Sequence, residues 1–299
     1  MTARGTAMVE RPESGSDRET TDCGTDEVAQ WFGIPSEDEL RGTFPQVYHP
    51  GGRGQRLVVR RLGNSVAHAA TIDVVWVEND REFRVVLVGT VATAPGHRGE
   101  GLASGLLRGI IGRAETSGCD AVVLWSGPSE PTGLYARLGF VPTGLELSAP
   151  IRGRAHPELA GQVRPLLRDD VPALLALHRR KPMRIERSRA DLEVMLTAKP
   201  MLTTVLDVDG EVRAYACLRK GADFPDWWHE LGGTDREVLG LVESTMYAAG
   251  MESASVLLPP YRRELRAALG ERATRRPAAL CRPVTTTLPR LFVDGLDSI

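Results

Sequence analysis

The sequence predicts an α/β fold in two halves, each a central, twisted, mostly antiparallel mixed sheet flanked by helices. Three observations point there. Apolar residues alternate with period two along some segments and recur at helical spacing along others, so strands and helices are interleaved. Turn signals join early strands of each half into a hairpin, and strand, helix, strand, helix follow in the same order both times. The 299 residues suffice for two separate cores.

Residues 1–26 are rich in Thr, Ser, Glu, Asp and Gly, lack hydrophobic periodicity, and are expected to form a disordered tail. Val28–Leu40 has helical character, with Pro35-Ser36-Glu37-Asp38-Glu39 as a helix start. Arg56–Arg60 and Ser65–Ala69 flank the turn Leu62-Gly63-Asn64. Thr71–Val77 extends the second of these strands, and Asp80-Arg81-Glu82 turns the chain into the apolar run Val85–Thr93. Leu102, Leu106, Leu107, Ile110, Ile111 and Ala114 form one helical face. Gly101, Gly105 and Gly109 recur every fourth residue and are expected to let this helix pack closely on the sheet. Ala121–Trp125 is a short strand. After the loop Ser126-Gly127-Pro128-Ser129, Pro131 suits the start of a short helix and Gly139 its end. Phe140–Ile151 is extended and closes a first domain over residues 27–152.

A second domain over residues 163–299 repeats the order. A strand from Val163 leads into the amphipathic helix Val171–Leu177, and a second helix covers Ala190–Leu196. Thr203–Val208 and Val212–Leu218 flank Asp209-Gly210, a hairpin signal. Next come a strand at Trp227–Leu231, a helix over Asp235–Ala249, the strand Ser255–Leu258 and a helix across Arg263–Leu269. Trp227 and Trp228 are neighbours in a strand and therefore point to opposite faces.

Hydrophobic residues make up 42% of the chain and charged residues 25%, and the net charge is -2. That balance offers no electrostatic attraction for nucleic acid or an anionic membrane. No apolar run is long enough to span a bilayer, and no apolar signal segment stands at the N-terminus. Cys23, Cys119, Cys217 and Cys281 are far apart, which suits a reducing cytoplasm better than a disulfide framework. His229-Glu230 is half of a metalloprotease pattern, but the second His is missing, so no metal is expected.

The most informative stretch is Arg98-Gly99-Glu100-Gly101-Leu102-Ala103, directly after the Val85–Thr93 strand and a Pro95-Gly96 turn. A helix that starts there offers unpaired first-turn N–H groups at the positive end of its dipole, and glycines let an anion approach the backbone. No Gly-Lys-Ser/Thr ending marks it as a P-loop, and no second glycine is placed for a dinucleotide fingerprint. Downstream stands Tyr135-Ala136-Arg137-Leu138-Gly139-Phe140.

Arg-x-x-Gly-x-Ala after a strand resembles the pyrophosphate loop of the GNAT superfamily, the acyl-CoA-dependent N-acetyltransferases. Tyr-x-x-Leu-Gly-Phe resembles the second GNAT signature. The resemblance covers residues 28–150 with specific motifs and 163–287 by order of elements alone. It implies a tandem GNAT fold with acetyl-CoA as co-substrate. By resemblance, Val91, Ala92 and Thr93 line a gap beside the fourth strand, with the Val91 N–H as oxyanion donor. Arg98, Gly99, Glu100, Gly101, Leu102, Ala103 and Ser104 would hold the pyrophosphate, and Tyr135 would protonate the departing thiolate. His97 is expected to pack rather than react. The usual opening strand and first helix are poorly represented before Phe44.

The second half departs from the pattern. Gly232-Gly233-Thr234-Asp235-Arg236 replaces the phosphate loop, Asp235 would repel an anion, and no Tyr-x-x-Leu-Gly-Phe follows. It is expected to be a degenerate copy that shapes the acceptor site or supports the first half. Tandem GNAT chains of the mycobacterial aminoglycoside-acetylating type are similar in carrying such a copy. Acetyl transfer needs a neutral amine, an oxyanion donor and a proton for the leaving thiolate. Asp73, Glu78, Glu82 and His68 lie on strands from which a base could act, with a water chain as the alternative. The acceptor is a small-molecule or protein amine that the sequence does not name, and it does not specify an oligomeric state. The rival reading is a non-catalytic acyl-CoA-binding regulatory or interaction protein.

Overall fold

The structure is a computed structural model that describes residues 9–10, 25–125, 132–144, 146–220, 224–270, 274–276 and 279–285. Most of the expected tail lies outside the described residues. Within it, β1 (Val9–Glu10) pairs antiparallel with the first strand of the hairpin, and Thr25 and Asp26 open α1 (Thr25–Phe32). The Ser36 hydroxyl caps α2 (Glu37–Thr43) by accepting from the Glu39 N–H at 3.2 Å. The short α3 (Pro45–Tyr48) follows. Helices thus precede the hairpin, where the usual opening elements are weak in the sequence.

β2 (Gln55–Arg61) and β3 (Asn64–Glu78) meet at a two-residue turn in which Leu62 and Gly63 have φ of 50° and 83°. Two left-handed residues give the turn the twist that matches paired strands. β4 (Arg81–Thr93), α4 (Leu102–Thr116), β5 (Ala121–Leu124), α5 (Thr132–Arg137) and β6 (Val141–Thr143) continue the first half. Pro131 and the Ser126–Ser129 loop lie outside the described residues. Leu106, Leu107 and Ile110 are buried against β3, β4 and β5, as the apolar face predicts. The glycines of α4 do something else: a Cβ at Gly105 or Gly109 would meet nothing within 4 Å. They stand on the exposed face, and the expectation of close packing on the sheet is corrected.

β7 (Glu146–Ile151) is the second departure. It does not pair in the first sheet. It lies between two strands of the second, antiparallel to both, with Val256 opposite Ala149. The rest of the chain runs β8 (Gln162–Pro165), α6 (Val171–Arg179), β9 (Met183–Ile185), α7 (Arg189–Met195), β10 (Leu202–Val208), β11 (Glu211–Lys220) and β12 (Phe224–Gly232). Then come α8 (Asp235–Ala248), β13 (Ala254–Leu257), α9 (Arg263–Leu269), β14 (Thr274–Arg276) and β15 (Ala279–Pro283). Trp228 is fully buried and Trp227 half-buried, on opposite faces of β12.

The described strands form two sheets, ordered β1-β2-β3-β4-β5-β15-β6 and β14-β7-β13-β12-β11-β10-β8, with β9 added to the end of β3. Each sheet has one parallel pair, β4 with β5 and β12 with β13. Beyond that pair, each accepts a strand from the other half: β15 enters the first sheet and β7 the second. The two sheets are mostly antiparallel and flanked by helices, as the sequence predicts; the exchange of strands is not in the sequence reading.

Candidate active site

Pairing of β4 with β5 ends at Val88 and Leu124. β4 runs on to Thr93 with only β3 beside it among the described residues, so a gap opens on its other side. A bulge sits there: Gly89 pairs with Ala70 and Ala92 with His68, leaving Thr90 and Val91 opposite Ala69 alone. Thr90 has φ 44°, a left-handed conformation that costs a β-branched residue about 1–3 kcal/mol and calls for something to hold it. Its carbonyl and its hydroxyl are both held. His68 Nδ1 lies 2.9 Å from the Thr90 carbonyl oxygen, and the Tyr48 hydroxyl donates to Thr90 Oγ1 at 3.0 Å. The Tyr48 and His68 rings stack at 6.1 Å.

Both ring residues are buried. Burial drives the His68 pKa down to about 4, overriding the hydrogen bond to Thr90. The ring is neutral near pH 7 and carries its proton on Nδ1, the nitrogen that faces the carbonyl. Nε2 is buried with no partner among the described residues. Burial likewise pushes the Tyr48 phenol well above its usual range.

After β4 a single 3-10 turn, Pro95–His97, leads to the glycine loop. Gly99 and Gly101 have φ of 85° and 77°, and neither would find a neighbour within 4 Å of an added Cβ. Gly101 is the N-cap of α4, and no side chain caps the helix. The first turn, Leu102-Ala103-Ser104, therefore keeps its N–H donors open. Glu100 accepts from Arg61 and lies 3.0 Å from His97 Nδ1. Desolvation, the largest single effect, pushes its carboxyl up, but the hydrogen bonds and charges of His97 and Arg61 together prevail and hold it below the usual range. The acid beside the loop is thus neutralised by neighbours, and His97 is occupied with Glu100. Arg98 is exposed, with Nε 3.4 Å from the Thr93 carbonyl.

Tyr135 sits on α5, 5% exposed, edge-on to Phe140 at 5.9 Å. It belongs to the apolar cluster that α4 forms with the sheet, and Val91 and Leu102 pack against that same cluster. The structure therefore brings the bulge, the start of α4 and Tyr135 to one face of the first sheet. Two residues on strands proposed to supply a base are engaged: Asp73 by Arg113 at 2.8 and 3.0 Å, and His68 by Thr90. A groove of about 450 Å³ between α4 and α5 is lined by Arg108, Arg137 and Arg282, with Glu115 in the same wall 3.6 Å from Arg282. Sequence reasoning missed this trio because Arg282 arrives on β15, from the far end of the chain.

The corresponding place in the second half is open but differently lined: a pocket of about 830 Å³ there has Asp235, Glu237 and Arg262 in its wall. β12 and β13 stop pairing at Trp228 and Val256, and the Arg262 guanidinium spans the loop beyond. It donates to the carbonyls of Leu231 and Gly233 at 3.0 and 3.1 Å and to Asp235 at 2.9 Å. The start of α8 is capped from within, by Thr234 Oγ1 on the Glu237 N–H and by the Glu237 carboxylate on Thr234. Glu230, beside His229, is fully buried and bound by Lys181, Arg187 and Tyr215 at 2.6 to 3.1 Å. Among the described residues no cluster of His, Cys, Asp and Glu could hold a metal ion.

The acetyltransferase (GNAT) domain family model matches residues 25–143. The first half is a GNAT acetyltransferase domain. Solved structures match most of the chain in fold. A probable N-acyltransferase from Enterococcus faecalis V583 is 14% identical with a TM-score of 0.70, covering 93% of this chain and 73% of its own. A GCN5-related N-acetyltransferase from Anabaena variabilis is 14% identical, TM-score 0.65, over 87% and 69% of the two chains. Another from Kribbella flavida is 18% identical, TM-score 0.63, over 87% and 68%. At these identities the likeness is one of fold. No curated protein matches the chain. Acyl transfer from an acyl-CoA is the chemistry of the GNAT family whose model matches residues 25–143.

Proposed function

We propose that the protein transfers an acetyl group from acetyl-CoA to an amine, at a single site in the GNAT domain. The observation that supports this most is the asymmetry of the two halves. The helix start after β4 is uncapped and glycine-marked, whereas that after β12 is capped and faces Arg262. The pyrophosphate would lie on the N–H groups of Gly99 to Ser104, with Arg98 beside it. The nucleotide end would enter the arginine-lined groove between α4 and α5.

The thioester would lie along Val91–Thr93. A neutral amine attacks its carbonyl carbon, the oxygen becomes an oxyanion held by the Val91 N–H, and the C–S bond breaks as the tetrahedral intermediate collapses. Tyr135 gives its phenolic proton to the departing sulfur, which leaves as CoA thiol. The attacking nitrogen loses its extra proton to solvent.

Tyr135→Phe tests the proton donor. It keeps the ring against Phe140, so folding changes little. Turnover, read as free thiol release with the best acceptor from a pooled amine screen, should fall about a hundredfold or more, while acetyl-CoA affinity is nearly kept. Unchanged turnover would make Tyr135 a packing residue. Acetyl-CoA binding with no turnover on any amine, even in the wild type, would favour a regulatory acyl-CoA binder.

A further inference from the structure

We infer that His68 is a positioning residue for acyl transfer: by holding the Thr90 carbonyl, it aims the Val91 N–H at the thioester oxygen. A peptide bond is planar and trans, so its C=O and N–H point in opposite directions. The Thr90 carbonyl accepts from His68 Nδ1 at 2.9 Å. His68 stands on the face of the sheet where Tyr48 and α3 pack, stacked on the Tyr48 ring. The N–H of the same peptide, that of Val91, is thereby turned to the opposite face, where Val91, Leu102 and Tyr135 share one apolar cluster.

Three features make this a built device and not incidental contact. Thr90 is left-handed at φ 44°, a conformation that a β-branched residue does not keep unaided, and its carbonyl and its hydroxyl are each pinned from the same side, by His68 and by Tyr48. His68 is 2% exposed, and its Nε2 has no partner among the described residues. Only the Nδ1–H tautomer makes the hydrogen bond, and burial keeps the ring in that neutral form. The same burial removes His68 as a general base: its nitrogen meets no solvent and holds a proton too weakly. Finally, β4 has only β3 beside it past Val88 among the described residues, so the bulge needs support from β3 and α3 alone.

This inference rests on the proposed acyl-CoA site, and the two fail differently. The probe is acetyl-CoA carrying ¹³C at the thioester carbonyl, bound to the full-length protein. An oxyanion donor polarises that carbonyl and moves its resonance, with no acceptor needed. His68→Asn places an amide N–H where Nδ1 stands, and His68→Leu fills the space without a donor. The wild type and His68→Asn should show the same shifted carbonyl resonance. His68→Leu should bind acetyl-CoA within about threefold of wild type yet show a resonance close to that of free acetyl-CoA, with thiol release lowered about a hundredfold. Should His68→Leu not fold, His68→Asn decides. A shifted resonance with turnover within about tenfold of wild type supports the clamp; an unshifted one with binding kept overturns it. A shifted resonance in His68→Leu overturns it as well. A wild-type protein that binds no acetyl-CoA brings down the site itself, and the clamp with it.

Discussion

Glycines in and before α4 show how one residue type serves two ends. Gly99 and Gly101 adopt φ of 85° and 77°, so the backbone itself needs them there. Gly109 lies inside the helix at ordinary φ, with open space where its Cβ would be. Replacing it by Ala should raise stability by about 0.5–1 kcal/mol, read from chemical denaturation, because a helix interior disfavours glycine by that amount. A loss of stability would mean that the exposed face of α4 is covered by something. At this scale the sequence was largely legible. The loop from Arg98 to Ser104 and the Tyr135 helix carry their own local signals, a strand end, a turn and glycine stops. Thr90 and Tyr48 carry none. A left-handed threonine is created by its partners His68 and Tyr48, 22 and 42 residues away, and leaves no mark on neighbouring residues.

At the level of elements, the helices and hairpins were predicted close to where they lie, since each is governed by local periodicity and turn chemistry. Strand partners were not. The pattern of Glu146–Ile151 gives which face is buried, and says nothing of which sheet supplies the hydrogen bonds. Its place between β13 and β14, and the place of Ala279–Pro283 between β5 and β6, are set by the path of the whole chain. The exchange has a direct consequence. A fragment ending at residue 152 lacks β15, so it leaves an open edge on β5 and on β6, and β7 has no sheet to join. That fragment, although it contains every residue of the proposed site except Arg282, should be aggregation-prone and fail to bind acetyl-CoA. A soluble monomer with native affinity, by sedimentation and calorimetry, would show that the halves fold independently.

For the molecule as a whole, two halves with the same order of elements have been put to different uses. The first leaves the start of α4 without a side-chain cap and β4 without β5 beside it past Val88. The second caps its helix start, ties Arg262 to Leu231, Gly233 and Asp235, and buries an ionic cluster around Glu230, beside a pocket whose wall carries Asp235 and Glu237. Burial of three histidines couples this architecture to pH. Burial holds His68 near 4 and His229 near 3, and burial with the nearby Arg187 and Lys181 charges lowers His178. Between pH 6.5 and about 4 the unfolded chain binds protons on these groups that the folded chain does not. Their contribution is complete above pH 6.5 and is lost as pH falls through that window, so the melting temperature should drop steadily there. His68→Asn should flatten part of that slope; an equal slope would show that His68 is protonated in the folded protein.

The central claim is that one anion site, at the start of α4, receives the cofactor. Titration calorimetry of the full-length protein with acetyl-CoA tests it most directly, alongside Gly101→Asp. Any side chain at φ 77° carries the cost of a left-handed residue, about 1–2 kcal/mol, so Gly101→Asn serves as the uncharged control, while the Asp charge occupies the position where the pyrophosphate would sit. The account predicts one site per chain in the wild type, weaker binding in Gly101→Asn and no measurable binding in Gly101→Asp, with the two variants equal in thermal stability. Two equivalent sites, or affinity that survives in Gly101→Asp, would contradict it.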